Sequence, residues 1–304
     1  MPVPHRDFKG NSISIIGVGG SALGDVGDNG EIQRIVNEAL DNGINFFDNA
    51  WEYHDGMSEE LLGRSLRGKR DQAFLMTKVC THGRDKTVAM AMLEDSLRRL
   101  ETDRLDLWQV HECIYYNDPE LHFAHDGVIE ALTAAKQQGK VRYVGFTGHK
   151  DPAIHLDMLS HRYPFDTVQM PLNPFDRSFR SFQQRVVPEA QRQGIAVIGM
   201  KSMGGGGEPV KHEAATPGEL LRYAMSLPVL TTVSGMDSYA VFKQNLAVAL
   251  AFSPMSDAEQ TALEARVRDI AGDGRLELYK STKVYDAAVG RRIHHFPPIE
   301  ELPA

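Results

Sequence analysis

The spacing of apolar and polar positions changes along this chain in a regular way. Short runs rich in β-branched residues alternate with longer stretches whose apolar positions recur every three to four residues. The short runs predict strands at residues 15–19, 44–48, 73–78, 105–111, 143–147, 167–170, 196–201 and 229–234. An amphipathic helical pattern follows each of them, at 31–41, 58–66, 87–100, 127–138, 152–160, 182–193, 217–227 and 239–252. Eight strand–helix units in about 250 residues have the size and order of a (β/α)8 barrel, the TIM-barrel class of α/β fold. A doubly wound sheet is the competing architecture. No composition shift or linker rich in Pro, Gly and Ser divides the chain, so residues 1–304 are predicted to form a single barrel domain.

Helix ends carry their own signals. Ser58, ahead of Glu59 and Glu60, reads as an N-cap with acid in the first turn. Gly139 and Gly194 read as C-terminal stops, and Asp151-Pro152 as an N-cap with proline at the first helical position. Lys9-Gly10-Asn11 predicts a hairpin turn within residues 5–14, closing the barrel bottom. After Phe252 comes one more amphipathic segment, 257–270. A tail from 271 to 304 then carries Tyr279, Tyr285, His294, His295 and Phe296. Its apolar content predicts a C-terminal extension folded back over the barrel mouth.

Composition narrows the function classes. The 304 residues are 42% hydrophobic, ample for a large core, and carry a net charge of -8. That charge, with a pI near 5.8, argues against a nucleic-acid or anionic-membrane surface. No stretch approaches the ~18 uninterrupted apolar residues of a membrane span, and residues 1–7 lack a signal-peptide core. Cys80 and Cys113 do not make a disulfide framework. A soluble cytoplasmic protein acting on a small molecule is expected, with no nucleic-acid or membrane partner and an oligomeric state the sequence leaves open.

The residues at the strand ends are the informative ones. The second strand ends at Asp48, with Tyr53 in the loop beyond. The third ends at Lys78, the fourth at His111, and the fifth at Thr147-Gly148-His149. Each has an ordinary explanation alone: Asp48 as a helix cap, Lys78 snorkelling to water, His111 as a satisfied core histidine. In a barrel, however, all these groups converge on one face. A lysine ending an apolar strand needs a partner, and Asp48 on the next strand is the natural one. The joint arrangement suggests proton transfer to a carbonyl oxygen. Tyr53 has an unperturbed pKa near 10, which a neighbouring Lys78 ammonium is expected to lower. His111 can hydrogen-bond a substrate oxygen. Such a site holds a general acid but no electron source, so an external hydride donor is implied.

These residues fall in motifs that resemble the aldo-keto reductase family, and bacterial members of it. The motifs are Gly43-Ile44-Asn45-Phe46-Phe47-Asp48 with Tyr53, Gly56 and Ser58-Glu59; Thr77-Lys78; Asp106-Leu107-Trp108-Gln109-Val110-His111; and Gly139-Lys140-Val141-Arg142-Tyr143-Val144-Gly145-Phe146-Thr147. Four separated motifs occur in the family order, over roughly residues 10 to 250. The resemblance implies a (β/α)8 barrel and hydride transfer between a nicotinamide cofactor and an aldehyde or ketone. It also implies a catalytic tetrad of Asp48, Tyr53, Lys78 and His111.

The cofactor contacts that the resemblance implies match less closely. Where the family has a Ser-Asn pair, this chain has Thr147-Gly148, keeping a hydroxyl and losing an amide. Gln169 matches the glutamine that holds the carboxamide. Met200 stands where an aromatic ring usually stacks on the nicotinamide. Lys201, Ser202 and Gly204, in a glycine run reaching Gly207, can approach the pyrophosphate. Ser234, Gly235, Met236 and Asp237 lead into a helix carrying Gln244 and Asn245, the latter resembling the adenine contact. The cations that often grip a 2′-phosphate are replaced by Gly235 and Val241. NADPH is the family expectation, and the local residues leave NADH open.

Other readings compete with this one. Gly17-Val18-Gly19-Gly20-Ser21-Ala22 fits a loose dinucleotide pattern, but Gly24, Gly27 and Gly30 follow, so no helix is expected to open there. It reads as the first barrel loop, with Gly20 beside the cofactor. His111-Glu112-Cys113 and His149 could gather a metal ion, giving a barrel isomerase or hydrolase. A redox-sensing subunit with bound nicotinamide and little turnover is a third class. For substrate selection, aromatic walls are expected from Tyr115, Tyr116, His122 and Phe123 in the loop 112–125, and from Tyr279, Tyr285 and Phe296 in the tail.

Overall fold

Two short strands open the chain in the computed structural model, which describes residues 2–80 and 84–302. Strands β1 (His5–Phe8) and β2 (Asn11–Ser14) pair antiparallel with Phe8 opposite Asn11. Lys9 and Gly10 between them both take left-handed backbone, φ 49° and 82°. That is the pattern of a two-residue type I′ turn, as Lys9-Gly10 predicted.

Eight parallel strands then close into a barrel. They are β3 (Ile16–Gly19), β4 (Phe46–Asp48), β5 (Phe74–Val79), β6 (Leu105–Val110), β7 (Val141–Thr147), β8 (Thr167–Pro171), β9 (Ala196–Met200) and β10 (Thr231–Gly235). Each pairs with the next in sequence, and β10 returns to β3. Every residue of β4, β5, β6 and β8 is buried, which is why these strands read as continuous apolar runs rather than alternating ones. The bottom is plugged by the hairpin. The Phe8 ring meets Tyr143 at 4.8 Å and Phe74 at 6.1 Å, and Phe74 stacks on Phe46 at 5.5 Å.

The helices in chain order are α1 (Gly20–Asp25), α2 (Asn29–Asp41), α3 (Met57–Ser65), α4 (Lys86–Arg99), α5 (Asp118–His122), α6 (Val128–Gln137), α7 (Pro152–Ser160), α8 (Phe182–Arg192), α9 (Glu208–Lys211), α10 (Pro217–Ser226), α11 (Tyr239–Leu250), α12 (Asp257–Ala271), α13 (Leu278–Ser281) and α14 (Val289–Ile293). Asp151 caps α7 through Ala153 N–H, as expected, and Gly139 and Gly194 stop their helices at φ 72° and 70°. Two expectations fail. Ser58 does not cap α3; Gly56 does, at φ 92°, and Ser58 lies inside the helix with its hydroxyl donating to the Gly20 carbonyl at 2.7 Å. A short helix, α1, does open at Gly20, because Ser58 and the packing of Gly24 against His54 support that turn.

Past α12 the tail crosses the barrel mouth and is tied down by buried charges. Lys280 donates to Asp176 at 2.7 Å, to Glu277 at 2.9 Å and to the Phe179 carbonyl at 2.8 Å. Arg291 reaches Asp118 at 3.0 Å, and Lys150 reaches Asp286 at 2.8 Å. No described helix is long and apolar enough to cross a membrane.

Candidate active site

The C-terminal ends of the strands build one polar cluster. Asp48 ends β4, and Lys78 sits one residue from the end of β5. Both are buried, at 3% and 1% exposure. Lys78 Nζ donates to Asp48 Oδ1 at 2.5 Å and to the Asn49 carbonyl at 2.8 Å, and it lies 3.3 Å from the Tyr53 hydroxyl. Gln169 of β8 donates to the second Asp48 oxygen at 2.8 Å. Both carboxylate oxygens are therefore engaged, and the ammonium is fixed against Tyr53.

Tyr53 is placed by an unusual loop. His54, Asp55 and Gly56 follow it in left-handed backbone, φ 52°, 55° and 92°, which costs about 1–2 kcal/mol for each non-glycine residue. Arg99 of α4 braces the turn, donating to the Trp51 carbonyl at 2.8 Å and pairing with Glu59 at 3.2 Å. Its guanidinium packs so closely that a Cβ on Gly56 would lie 2.3 Å from it. Such strain persists where the surroundings over-determine the backbone, commonly at functional sites.

His111 follows β6 directly, and its ring meets the Tyr53 ring edge-on at 5.6 Å. Its Nδ1 lies 2.6 Å from Glu52, whose other oxygen accepts from Cys80 Sγ at 3.1 Å. Glu112, at φ 55°, turns inward as well and accepts from the Ala287 N–H of the tail at 3.3 Å. Glu52 is a residue that the sequence reading passed over as loop, and Glu112 was weighed there only as part of a metal set. Each adjoins a candidate site residue. Glu52, His111 and Glu112 bring donor atoms within 4.8 Å of one another. The histidine cluster weighed from sequence is different. His149 turns instead to Asp286 at 3.7 Å and Tyr279, and the Cys113 N–H to the Thr147 carbonyl.

The electrostatics overturn one expectation. Burial, and then the charges of Asp48, Glu112 and Glu52, hold the Tyr53 phenol well above 10. The nearby Lys78 ammonium does not bring the phenol below its ordinary value, because burial and the surrounding carboxylates prevail. Burial lowers His111 from its ordinary 6.5, with Glu52 working against the shift. Burial pushes Glu112 up to about 8.

The part of the chain that carries these residues matches a known family. A profile of the Aldo/keto reductase family matches residues 15–217. The chain belongs to the aldo/keto reductase family. It is 30% identical over 191 residues to aldo-keto reductase YhdN of Bacillus subtilis, covering 60% of this chain and 54% of YhdN, so the match spans about half of that protein. It is 29% identical over 225 residues to L-galactose dehydrogenase of Arabidopsis thaliana, covering 68% of each chain. The structure is similar to the holo form of aldo-keto reductase AKR11C1 from Bacillus halodurans, with TM-score 0.72, 26% identity, and coverage of 87% of this chain and 96% of that one.

The aldo/keto reductase reading also assigns cofactor contacts, and their surroundings differ. Two fit well. Gln169 is buried with its Oε1 lacking a hydrogen-bond partner among the described residues, as is the Asn245 Oδ1. Thr147 ends β7 with its hydroxyl 3.9 Å from the Met200 sulfur, so both face one point. Others are already occupied. The Asn245 amide nitrogen donates to Ser234 at 3.1 Å and to the Gly235 carbonyl at 3.2 Å. Gly20 accepts from Ser58, and a Cβ there would lie 2.6 Å from the Asp48 carbonyl. Ser202 and Met236 are buried, whereas Gly235, Asp237 and Gln244 are exposed. Gly204 is packed against the Leu276 carbonyl, while Gly205 and Gly206 face the Tyr285 hydroxyl. At the start of α11, the Tyr239 N–H is already taken by Glu31 at 2.6 Å, and Lys243 is paired with Glu38.

The expected aromatic walls divide. Tyr279 and Tyr285 stand at the mouth. Tyr115 and Tyr116 line an adjoining pocket of about 150 Å³ with Lys150, Arg180 and Thr282. Phe123 stacks on His161 at 3.9 Å and His122 packs on Phe296, so these secure loops and tail.

Proposed function

We propose that this protein catalyses hydride transfer between a nicotinamide cofactor and an aldehyde or ketone, with Tyr53 as the group that gives a proton to the carbonyl oxygen. The observation that carries this reading is the contact line Asp48–Lys78–Tyr53, at 2.5 and 3.3 Å. A nicotinamide held here would supply the hydride for the carbonyl carbon. The proton comes from this chain. A phenol held well above 10 is fully protonated at neutral pH and ready to donate. The phenolate left behind faces the Lys78 ammonium, which stabilises it only once the charge has formed. His111 orients the carbonyl oxygen from the opposite side. In the reverse direction Tyr53 takes the alcohol proton.

Gln169 and Thr147 are the groups proposed to hold the carboxamide end of the cofactor, with Met200 against the ring face. The glycines from Gly204 to Gly207 and the residues from Ser234 to Asn245 would flank its phosphates and adenosine. The family expectation is NADPH. Glu31 on the first amide of α11 is a local argument for NADH, because a carboxylate there repels a 2′-phosphate.

The test is a titration with NADPH and NADH followed by turnover of a simple aldehyde, read as loss of the reduced-nicotinamide absorbance. Tyr53→Phe is expected to reduce turnover by about 10²–10⁴-fold with cofactor affinity nearly unchanged. Retained turnover would reject Tyr53 as the proton donor. A single turnover with tightly held cofactor would favour a redox-sensing role instead.

A further inference from the structure

Lys201 follows β9 and turns into the mouth through a left-handed backbone, φ 52°. Its carbonyl is pinned by Gly204 N–H at 3.0 Å and by the Asn173 amide at 3.3 Å, so the conformation is fixed. The ammonium lies 4.9 Å from the centre of the Tyr285 ring and 5.5 Å from that of Tyr279. Tyr279 is itself immobile, its hydroxyl held by Glu277 at 2.5 Å and Asn173 at 3.0 Å. Both rings come from the tail, so the cage exists only once the tail has docked.

This ammonium differs from the other lysines of the mouth. Lys78, Lys150 and Lys280 each hold a carboxylate, at 2.5, 2.8 and 2.7 Å. Lys201 has no hydrogen-bond acceptor and no carboxylate at ion-pair distance among the described residues. Two aromatic faces stabilise a cation but accept none of its three N–H groups. Burial lowers its pKa from the ordinary lysine value, with Glu112 and Asp48 working against the shift and Lys78 adding to it. Lys201 is half-buried, and an ammonium there with no acceptor from the chain is open to a bound anion.

We infer that Lys201 anchors an anionic group of the substrate, so that the preferred substrates are carbonyl compounds bearing a carboxylate. This rests on the reductase reading above for the position of the carbonyl, at Tyr53 and His111. The competing source of an anion is the cofactor's own pyrophosphate, which the glycine run beside Lys201 also suggests.

The experiment compares 4-oxobutanoate and 5-oxopentanoate with butanal and pentanal, in the native protein, Lys201→Met and Lys201→Arg, alongside the cofactor dissociation constant. In the native protein, kcat/KM is expected to favour the acids by about 10–100-fold, the range of a charge-assisted hydrogen bond. Lys201→Met should abolish that preference through KM, with cofactor binding unchanged, and Lys201→Arg should keep most of it. No acid preference in the native protein overturns the inference, whatever the variants do. So does a Lys201→Met protein whose acid preference persists while its cofactor binding weakens tenfold, which would assign the ammonium to the pyrophosphate. If no aldehyde is turned over with either nicotinamide, the reductase reading fails on its own. Quenching of tryptophan fluorescence by 4-oxobutanoate, lost in Lys201→Met, would then still uphold the anchor, and its absence would reject it.

Discussion

Glu52 and His111 form a carboxylate–imidazole pair, with 2.6 Å between Glu52 Oε1 and His111 Nδ1. The contact engages the Nδ1 side of the ring and leaves Nε2 as the nitrogen open to a substrate oxygen. Carboxylates used this way fix a histidine's tautomer and orientation, and their loss commonly costs 10–100-fold in function. Glu52 is in turn held by Cys80 at 3.1 Å, so the pair is set from outside the tyrosine loop.

Glu52→Gln keeps a hydrogen-bonding group of the same size and removes the charge. Turnover of a neutral aldehyde is expected to fall by about tenfold. The pH profile is the sharper readout. The Glu52 charge raises the His111 pKa against the lowering effect of burial. Without that charge His111 loses its proton at lower pH, so the limb of kcat/KM that reports it moves towards acid. A profile that stays in place would mean that Glu52 is only a packing residue.

The tail depends on one buried lysine. Lys280 is fully buried between Asp176 and Glu277, and both carboxylates rely on it. Removing one partner of a buried ion cluster leaves uncompensated charge, at about 3–5 kcal/mol. Lys280→Met is therefore expected to lower the urea midpoint strongly and to expose residues 272–302 to limited proteolysis. Because Tyr279 adjoins Lys280, the ring cage over Lys201 should loosen with it. A loss below about 1 kcal/mol would show that the cluster contributes little.

Acid should destabilise the fold in a definable window. His122 and His149 are buried and neutral, with burial holding both near a pKa of about 3. In the unfolded chain each takes up a proton near 6.5. The folded pKa is the lower of the two, so stability is complete above pH 6.5 and declines as pH falls towards 3. Between pH 6.5 and 4.5 each histidine removes roughly 2–3 kcal/mol, at about 1.4 kcal/mol per pH unit. The check is the urea midpoint at both values in the native protein and in His149→Gln, which should lose less. Equal midpoints at the two pH values would contradict the buried-neutral assignment.

Much of this architecture was legible because barrel strands and helices have separate periods. The strands around Phe74 and Trp108 and the helices from Pro152 and Pro217 lie within a residue or two of their sequence positions. Asp48 and Lys78 could be paired from sequence because a buried lysine on one strand needs a carboxylate on the next. What escaped was set by contacts between distant segments. Glu52 sits in a polar loop, and nothing local says that it faces His111. The short helices at Gly20 and Asp118 have too few residues to display a period. Ser58 looked like a cap because the steric demand of Arg99 on Gly56, which moves the cap two residues back, is invisible in one dimension. The Tyr53 phenol was misjudged for the same reason: its proton affinity depends on burial and on Glu52 and Glu112 as well as on Lys78.

Gly148 shows how the fold decides a residue that resemblance would change. The family pattern places asparagine at this position, and restoring it looks like a gain of one cofactor contact. The structure leaves no room for it. A Cβ on Gly148 would lie 2.2 Å from the Cys113 carbonyl oxygen and 2.8 Å from the His155 ring. The first of these is backbone, held by Cys113 N–H to the Thr147 carbonyl at 2.8 Å, so it cannot give without parting the ends of β6 and β7. Thr147 would move with it. Gly148→Asn is therefore expected to cost about 1–3 kcal/mol of stability or more, and to weaken nicotinamide binding rather than strengthen it. Gly148→Ala carries the same Cβ without the amide and should lose nearly as much in thermal unfolding. An asparagine variant that melts like the native protein and binds cofactor more tightly would show that the β6 and β7 ends yield, and that the missing amide was the real difference.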